Sequence, residues 1–201
     1  MSFKFCLVFA APFLLQAQIV AQNSNSVSIY SLRHKTVREA RRLCDEAVSQ
    51  LKRCNYSESR KLLEKALTLD SNYWLAQNNL GFTLLQMQQV KEAQAAFERA
   101  IQIDPLNAIG YTNLSVIALT RNNFALAEKS ATESLRLDPT LPEAKSMLGL
   151  AMVGQGIWTP TARKLLEESR QMPTSEAILA KWPKNNPHGP QVVVVRQSGF
   201  Q

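Results

Sequence analysis

Asp70, Asp104 and Asp138 stand at equal intervals, and the chain around them repeats with the same spacing. Leu69, Ile103 and Leu137 precede them, and Ala66, Ala100 and Ser134 lie four residues upstream. Leu80, Leu114 and Leu148 keep the spacing, as do Ala93 and Ala127, and Pro105 and Pro139. A fixed period of this length means one supersecondary unit stacked several times. Such a stack presents an elongated surface to a partner rather than a closed reaction centre.

The unit reads as a pair of helices. In its clearest copy the first helix covers residues 73–87 and the second residues 90–103. Asp104-Pro105 stops the second helix, because proline disfavours helical geometry at the residue before it. Asp138-Pro139 does the same one copy later. By position in the unit, Gly81 faces Ala93 so that two backbones approach closely, and Phe97 fills the seam toward the next pair. Upstream, Thr36 and Glu39 have the spacing of a capping box at a helix start. Thr159-Pro160 supplies an N-cap followed by proline at the first helical position, after a loop one residue longer than in the other copies.

These residues resemble the tetratricopeptide repeat family. The second copy carries Asn79-Leu80-Gly81, Ala93, Phe97, Ala100, Ile103, Asp104 and Pro105. The third has Tyr111, Asn113-Leu114, Phe124, Ala127, Leu137, Asp138 and Pro139. The fourth begins near Pro142 with Leu148-Gly149, Ala162, Leu166 and Ser169. The first is the weakest: Leu63, Ala66 and Asp70 match, but Glu46 stands where the family has an apolar residue, which leaves its register open to a shift of one. The resemblance implies an all-α solenoid of about four helix-turn-helix repeats over residues 36–73, 74–107, 108–141 and 142–175. A capping helix over 175–182 turns Ala177, Ile178 and Trp182 toward the last repeat.

The ends read differently. Lys4 is followed by an apolar run over residues 5–15 and then by small and polar residues to Ala21. That is the layout of a secretory signal peptide over residues 1–21, cleaved after Ala21 or Ala17. An uncleaved anchor is the alternative, although the run is short of the roughly 20 residues that span a bilayer. Residues 22–35 form a flexible lead-in, and 183–201 a disordered tail whose valines 192–195 could instead add a strand to a partner. The chain is therefore expected to be exported, to a periplasm or to the outside. Beyond the signal only Cys44 and Cys54 remain. On one helix they would be about 15 Å apart, too far for a disulfide, which leaves free thiols or an intermolecular bridge.

Little here can carry chemistry. His34 and His188 lie outside the repeats, and no Cys/His spacing suits a metal. No phosphate-cradling glycine loop or nucleophile elbow appears. The expectation is no enzyme, no cofactor, no metal and no nucleic-acid partner. The formal charge of +7 is concentrated early, in Arg38, Arg41, Arg42, Lys52 and Arg53, but Glu39, Asp45 and Glu46 dilute it.

The family resemblance implies an inner groove lined by the first helix of each pair, holding another protein or a peptide. By position the groove is lined by Leu75, Asn78, Asn79, Phe82, Leu85 and Gln86. Ile109, Thr112, Asn113, Val116 and Leu119 follow from the third copy, and Ser146 and Leu150 from the fourth. Leu85 and Leu119 read better as inter-repeat core. Some family members clamp acidic C-termini with a lysine whose place here is taken by Cys44, Asn78, Thr112 and Ser146, none of them cationic. Asn79 and Asn113 either ladder along a bound backbone or bridge neighbouring helices, since each amide offers donors and an acceptor. The function these residues point to is an exported adaptor or assembly factor that holds an apolar or extended segment. The alternative is a basic protein in weak association with an anionic membrane surface or cell-wall polymer.

Overall fold

The computed structural model describes residues 36–180, which are helical apart from the turns. Four pairs follow one another: α1 (Arg38–Lys52) with α2 (Tyr56–Leu69), α3 (Trp74–Gln86) with α4 (Val90–Ile103), α5 (Ala108–Thr120) with α6 (Phe124–Leu137), and α7 (Pro142–Gly154) with α8 (Pro160–Glu168). α9 (Pro173–Ala180) closes the stack against α7 and α8. The fold is an all-α solenoid with a capping helix. No described helix is long and apolar enough to cross a membrane. The expected signal peptide, lead-in and tail, with His34, Trp182 and His188, lie outside the described residues.

Within the stack α1 packs on α3 and α5 on α7, while the second helices have no comparable contact with one another. Helices that approach on one side only bend the stack toward that side, so the first helices form the inner row. α5 shows what this does to a central inner helix. Ten of its residues are buried, from Ala108 to Leu119, and none is exposed. A helix buried all round must be apolar or internally satisfied all round, and α5 is both.

Two kinds of turn repeat. After the second helix of each of the first three pairs the periodic aspartate is the C-cap, at Asp70, Asp104 and Asp138, whereas Ser169 ends α8. Its side chain accepts the backbone N–H two residues on, 3.2 Å from Asn72 and 2.9 Å from Thr140. After each first helix the chain turns through one residue at positive φ: Cys54 (59°), Gln88 (61°), Asn122 (55°) and Gly156 (78°), again at the repeat interval. The N–H of that residue and the next reach back to carbonyls of the last helical turn, as in Gln88 to Leu85 at 3.0 Å and Gln89 to Leu84 at 2.9 Å. This is a Schellman closure, satisfying carbonyls that the helix end leaves open. Asn107, Asn123 and Thr159 then cap α5, α6 and α8 by accepting from Ile109, Leu126 and Ala162.

Some sequence expectations hold and others are corrected. The fourth pair carries the one-residue insertion expected of its loop, since Leu166 meets Gly149 one position later than Phe97 meets Gly81, and its second helix begins only at Pro160. The capping box at Thr36 does not form. Val37 is the N-cap and makes no side-chain cap, since Glu39 turns to the Arg42 guanidinium at 2.7 Å. A Cβ on Gly81 would stand 2.7 Å from the Phe97 ring, so Phe97 fills the seam of its own pair rather than the one toward the next. Gly149 and Leu166 make the same small-to-large pair in the fourth copy. The first copy keeps its register, with Cys44 and Ala47 fully buried and Glu46 outside, bonded to Arg42. On α9, Ile178 packs on the core around Ala162 and Leu166, but Ala177 is exposed.

Candidate functional site

The inner helices carry residues in rows, one residue per pair, set by the period. One row runs Cys44, Asn78, Thr112, Ser146, and all four are buried. Their polar groups bond inside the chain. Asn113 donates from Nδ2 to Oδ1 of Asn78 at 2.7 Å, and Asn79 donates to the Cys44 sulfur at 3.5 Å. Thr112 pairs with Ser134 at 2.7 Å, and Ser146 with Ser175 at 2.7 Å. Both amides therefore bridge neighbouring inner helices, as one of the two sequence readings had it. Buried polar groups need such partners, because an unmade bond costs the full desolvation of the group.

A second row runs Val48, Phe82, Val116, Leu150, the first three buried and Leu150 half-buried. Leu75 is half-buried, whereas Ile109 is buried among its neighbours. Leu85 and Leu119 sit in the main apolar core beside Phe82 and Val116, as expected of inter-repeat residues. Burial pushes the Cys44 thiol up to about 11, although bonds from Asn79 and Tyr73 pull the other way. A thiol held protonated at neutral pH is a small core group, not a nucleophile. Among the described residues no cluster of three or more His, Cys, Asp or Glu is placed to hold a metal.

Glu143 is the residue that sequence reasoning passed over. It follows Ile109 by one period and Leu75 by two, so the signal was present in the spacing. It lies in the first turn of α7 and is only 8% exposed. Its Oε2 is buried and has no hydrogen-bond partner. Burial holds its carboxyl above the usual carboxylate range, against a bond from its own backbone N–H. Gln86, at the far end of α3, has a buried Nε2 without a partner.

Away from the inner row, a cleft of about 710 Å³ lies between α4, α5 and α6, lined by Ile101, Tyr111, Leu114 and Leu126 with Glu98 and Glu128 at its edge. It includes none of the residues expected to line the groove. On α1 and α2 the basic side chains meet acids locally, Arg42 with Glu39 and Glu46, Arg60 with Glu64, and Lys61 with Glu58. Such pairing leaves little single-sign field over these two helices.

Residues 74–107 match the tetratricopeptide repeat model. The matched stretch spans α3 and α4, the pair whose motif residues are the most complete. Comparison with curated proteins gives no match. Solved tetratricopeptide structures share the fold. A thermophilic tetratricopeptide protein of Thermus thermophilus is 18% identical over 70% of this chain and 79% of its own, with a TM-score of 0.62. The first tetratricopeptide domain of Spaghetti (RPAP3), solved with an HSP90 peptide, is 16% identical over 59% and 94%, with a TM-score of 0.57. The O-GlcNAc transferase of Thermobaculum terrenum is 20% identical over 68% of this chain but 27% of that enzyme, with a TM-score of 0.61. At these identities the likeness is one of fold.

Proposed function

We propose that this chain is a non-catalytic protein-interaction module that holds an apolar or extended segment of another protein against its inner helices. The carrying observation is the inner row itself: first helices in mutual contact, bearing Leu75, Phe82, Ile109, Val116 and Leu150 at the repeat interval. Support comes from the tetratricopeptide domain of similar fold that was solved with an HSP90 peptide. The clamp row, Cys44, Asn78, Thr112 and Ser146, has no cation to receive a carboxylate. The occupant is therefore held by apolar contact and hydrogen bonds rather than by its acidic end. Asn78, Asn79, Thr112, Asn113 and Ser146 shape the floor of the groove from below, and Leu75, Gln86 and Leu150 are its reachable rim.

The export reading rests on residues 1–21 and makes the module a periplasmic or secreted adaptor or assembly factor. The weaker alternative is association with an anionic surface through α1 and α2. It predicts binding that fades as salt is raised, because the Debye length is only about 8 Å at physiological ionic strength and shortens further with added salt. The deciding experiment is capture from the native envelope fraction with wild-type protein and with a Leu75→Arg, Leu150→Arg double variant. Loss of the captured partner at unchanged helical content supports the groove; equal capture by both rejects it. The mass of the chain purified from its host tests the signal peptide, because cleavage after Ala21 places the mature N-terminus at Gln22.

A further inference from the structure

The cleft between α4, α5 and α6 has a volume of about 710 Å³, within the roughly 300–1,000 Å³ of sites that hold a small ligand. Its floor of Ile101, Tyr111, Leu114 and Leu126 is half-buried. The repeat places equivalent residues at the two flanking junctions, and there polar side chains take over. Before it, Gln77 and Glu92 stand for Tyr111 and Leu126, and Arg99 reaches Asn72 at 3.5 Å. After it, Lys145 stands for Tyr111 and pairs with Glu168 of α8 at 2.6 Å. The middle junction has neither tie. Tyr111 donates to the Pro105 carbonyl at 3.3 Å, and Glu133 pairs with Arg136 of its own helix at 2.8 Å. The apolar floor is left open. Around it stand Glu98, Glu128 and Glu133 against one cation, Lys129. Glu98 and Glu128 accept from the neutral amides of Gln94 at 2.8 Å and Gln155 at 2.6 Å, which do not cancel their charge. An apolar floor with an acidic rim suits a short apolar run that carries a cation.

The chain itself contains such a run. Residues 181–201, outside the described ones, include Lys181, Lys184 and Arg196 and no aspartate or glutamate. Valines 192–195 lead directly into Arg196. We infer that valines 192–195 dock in the α4–α5–α6 cleft of their own chain, with the Arg196 guanidinium at the Glu98 and Glu128 rim. The length suffices. The chain from Ala180 to Val192 spans up to about 40 Å when extended. The cleft lies about two helix spacings from α9, past α7 and α8, or roughly 20 Å. A tethered segment is present at an effective concentration of roughly 1 mM, so a weak contact is enough to hold it. Docking also withholds the valine run from strand pairing with other chains, a hazard for β-prone segments of low charge. The surface is separate from the inner row, so the inference stands or falls independently of the groove.

Trypsin cleaves after lysine and arginine, so Arg196 reports docking in the full chain, and Lys184 serves as a reference in the same stretch. Initial cleavage rates are read by mass spectrometry, with the free peptide of residues 185–201 as the unprotected standard. Arg196 in the chain is expected to be cut about tenfold more slowly than in the peptide, as tethering near 1 mM gives for a free affinity of about 0.1 mM. Glu98→Lys with Glu128→Lys should remove that protection. Val193→Asp with Val194→Asp should remove it too, judged against a peptide carrying the same changes. Equal cleavage of wild-type chain and peptide overturns the inference. Protection that survives the glutamate variant places the segment elsewhere and overturns it as well. Protection that fades on dilution, together with a dimer in sedimentation, assigns the segment to the cleft of a second copy and overturns docking in its own chain. The valine variant lies outside the described helices, so the comparison holds even if the glutamate variant does not fold.

Discussion

The two turns of each repeat solve the same problem by opposite means. Both reverse the chain after a helix and must satisfy carbonyls and N–H groups at the break. The turn after the second helix of the first three pairs uses side-chain chemistry: an aspartate at the C-cap accepts from the backbone two residues on, as Asp138 does from Thr140. The turn after each first helix uses backbone geometry: one residue at positive φ lets two N–H groups reach back into the helix. The first kind needs a particular residue and keeps it in three copies. The second needs only a conformation, and cysteine, glutamine, asparagine and glycine all supply it. A feature fixed by side-chain bonding is written in the sequence; one fixed by dihedral angles is written only where glycine makes it cheap.

Substitutions in the two turns test this contrast. The largest effect is expected at Asp104, which is 1% exposed. Asp104→Ala removes the acceptor of Asn107 Nδ2, itself buried. That change should lower unfolding free energy by about 2 kcal/mol in urea titration. A loss no greater than at an exposed site would show that backbone geometry closes this turn too. Next, Gly156→Ala places a Cβ on a residue at positive φ, although open space surrounds the site. It should cost about 1 kcal/mol by the same assay. Gln88→Gly reverses the sign: it relieves a positive φ and should raise stability by about 0.5 kcal/mol, seen as a higher melting temperature. Asp138→Ala, in the more exposed twin of the Asp104 turn, should cost less than its buried counterpart, about 0.5 kcal/mol.

The third aspartate turn leads directly into Glu143, and that residue gives the smallest expected signal. Its folded-state carboxyl titrates above its ordinary value because burial disfavours the charge. The folded chain therefore holds a proton that the unfolded chain has released. Stability should be greatest below the ordinary carboxylate range and decline as pH rises through the raised value. Glu143→Gln should flatten that part of the pH–stability curve in thermal melts. An unchanged curve would mean that this carboxylate is satisfied in solution.

How far the molecule was legible follows from the same physics. α4 runs from Val90 to Ile103, as its apolar spacing and the following Asp-Pro predict. The N-cap and proline of α8 were equally plain, and Thr159 does accept from Ala162. The capping box at Thr36 failed because Arg42, one turn along the same helix, competes for Glu39 with a bidentate charge-assisted bond. Phe97 was assigned to the wrong seam because position in the unit gives the facing helix but not which side chain leans across; the Phe97 ring reaches back over the turn before it, onto Gly81. The candidate site was legible as rows and illegible as chemistry. Spacing placed Asn78 and Asn113 on inner helices, yet only the packed pair shows one amide answering the other. Glu143 stood in a row already in view and was passed over because a carboxylate near a helix start usually faces water.

The sequence by itself determined the period, the helical pairs and the residues that end the second helix of the first three pairs. These follow from local rules that a short stretch of chain obeys alone: apolar spacing, the proline restriction and the reach of an aspartate to the next backbone N–H. Only the tertiary structure decided which polar groups are satisfied and which are left waiting. Satisfaction depends on atoms brought together from neighbouring repeats, across distances of about 3 Å that no local pattern specifies.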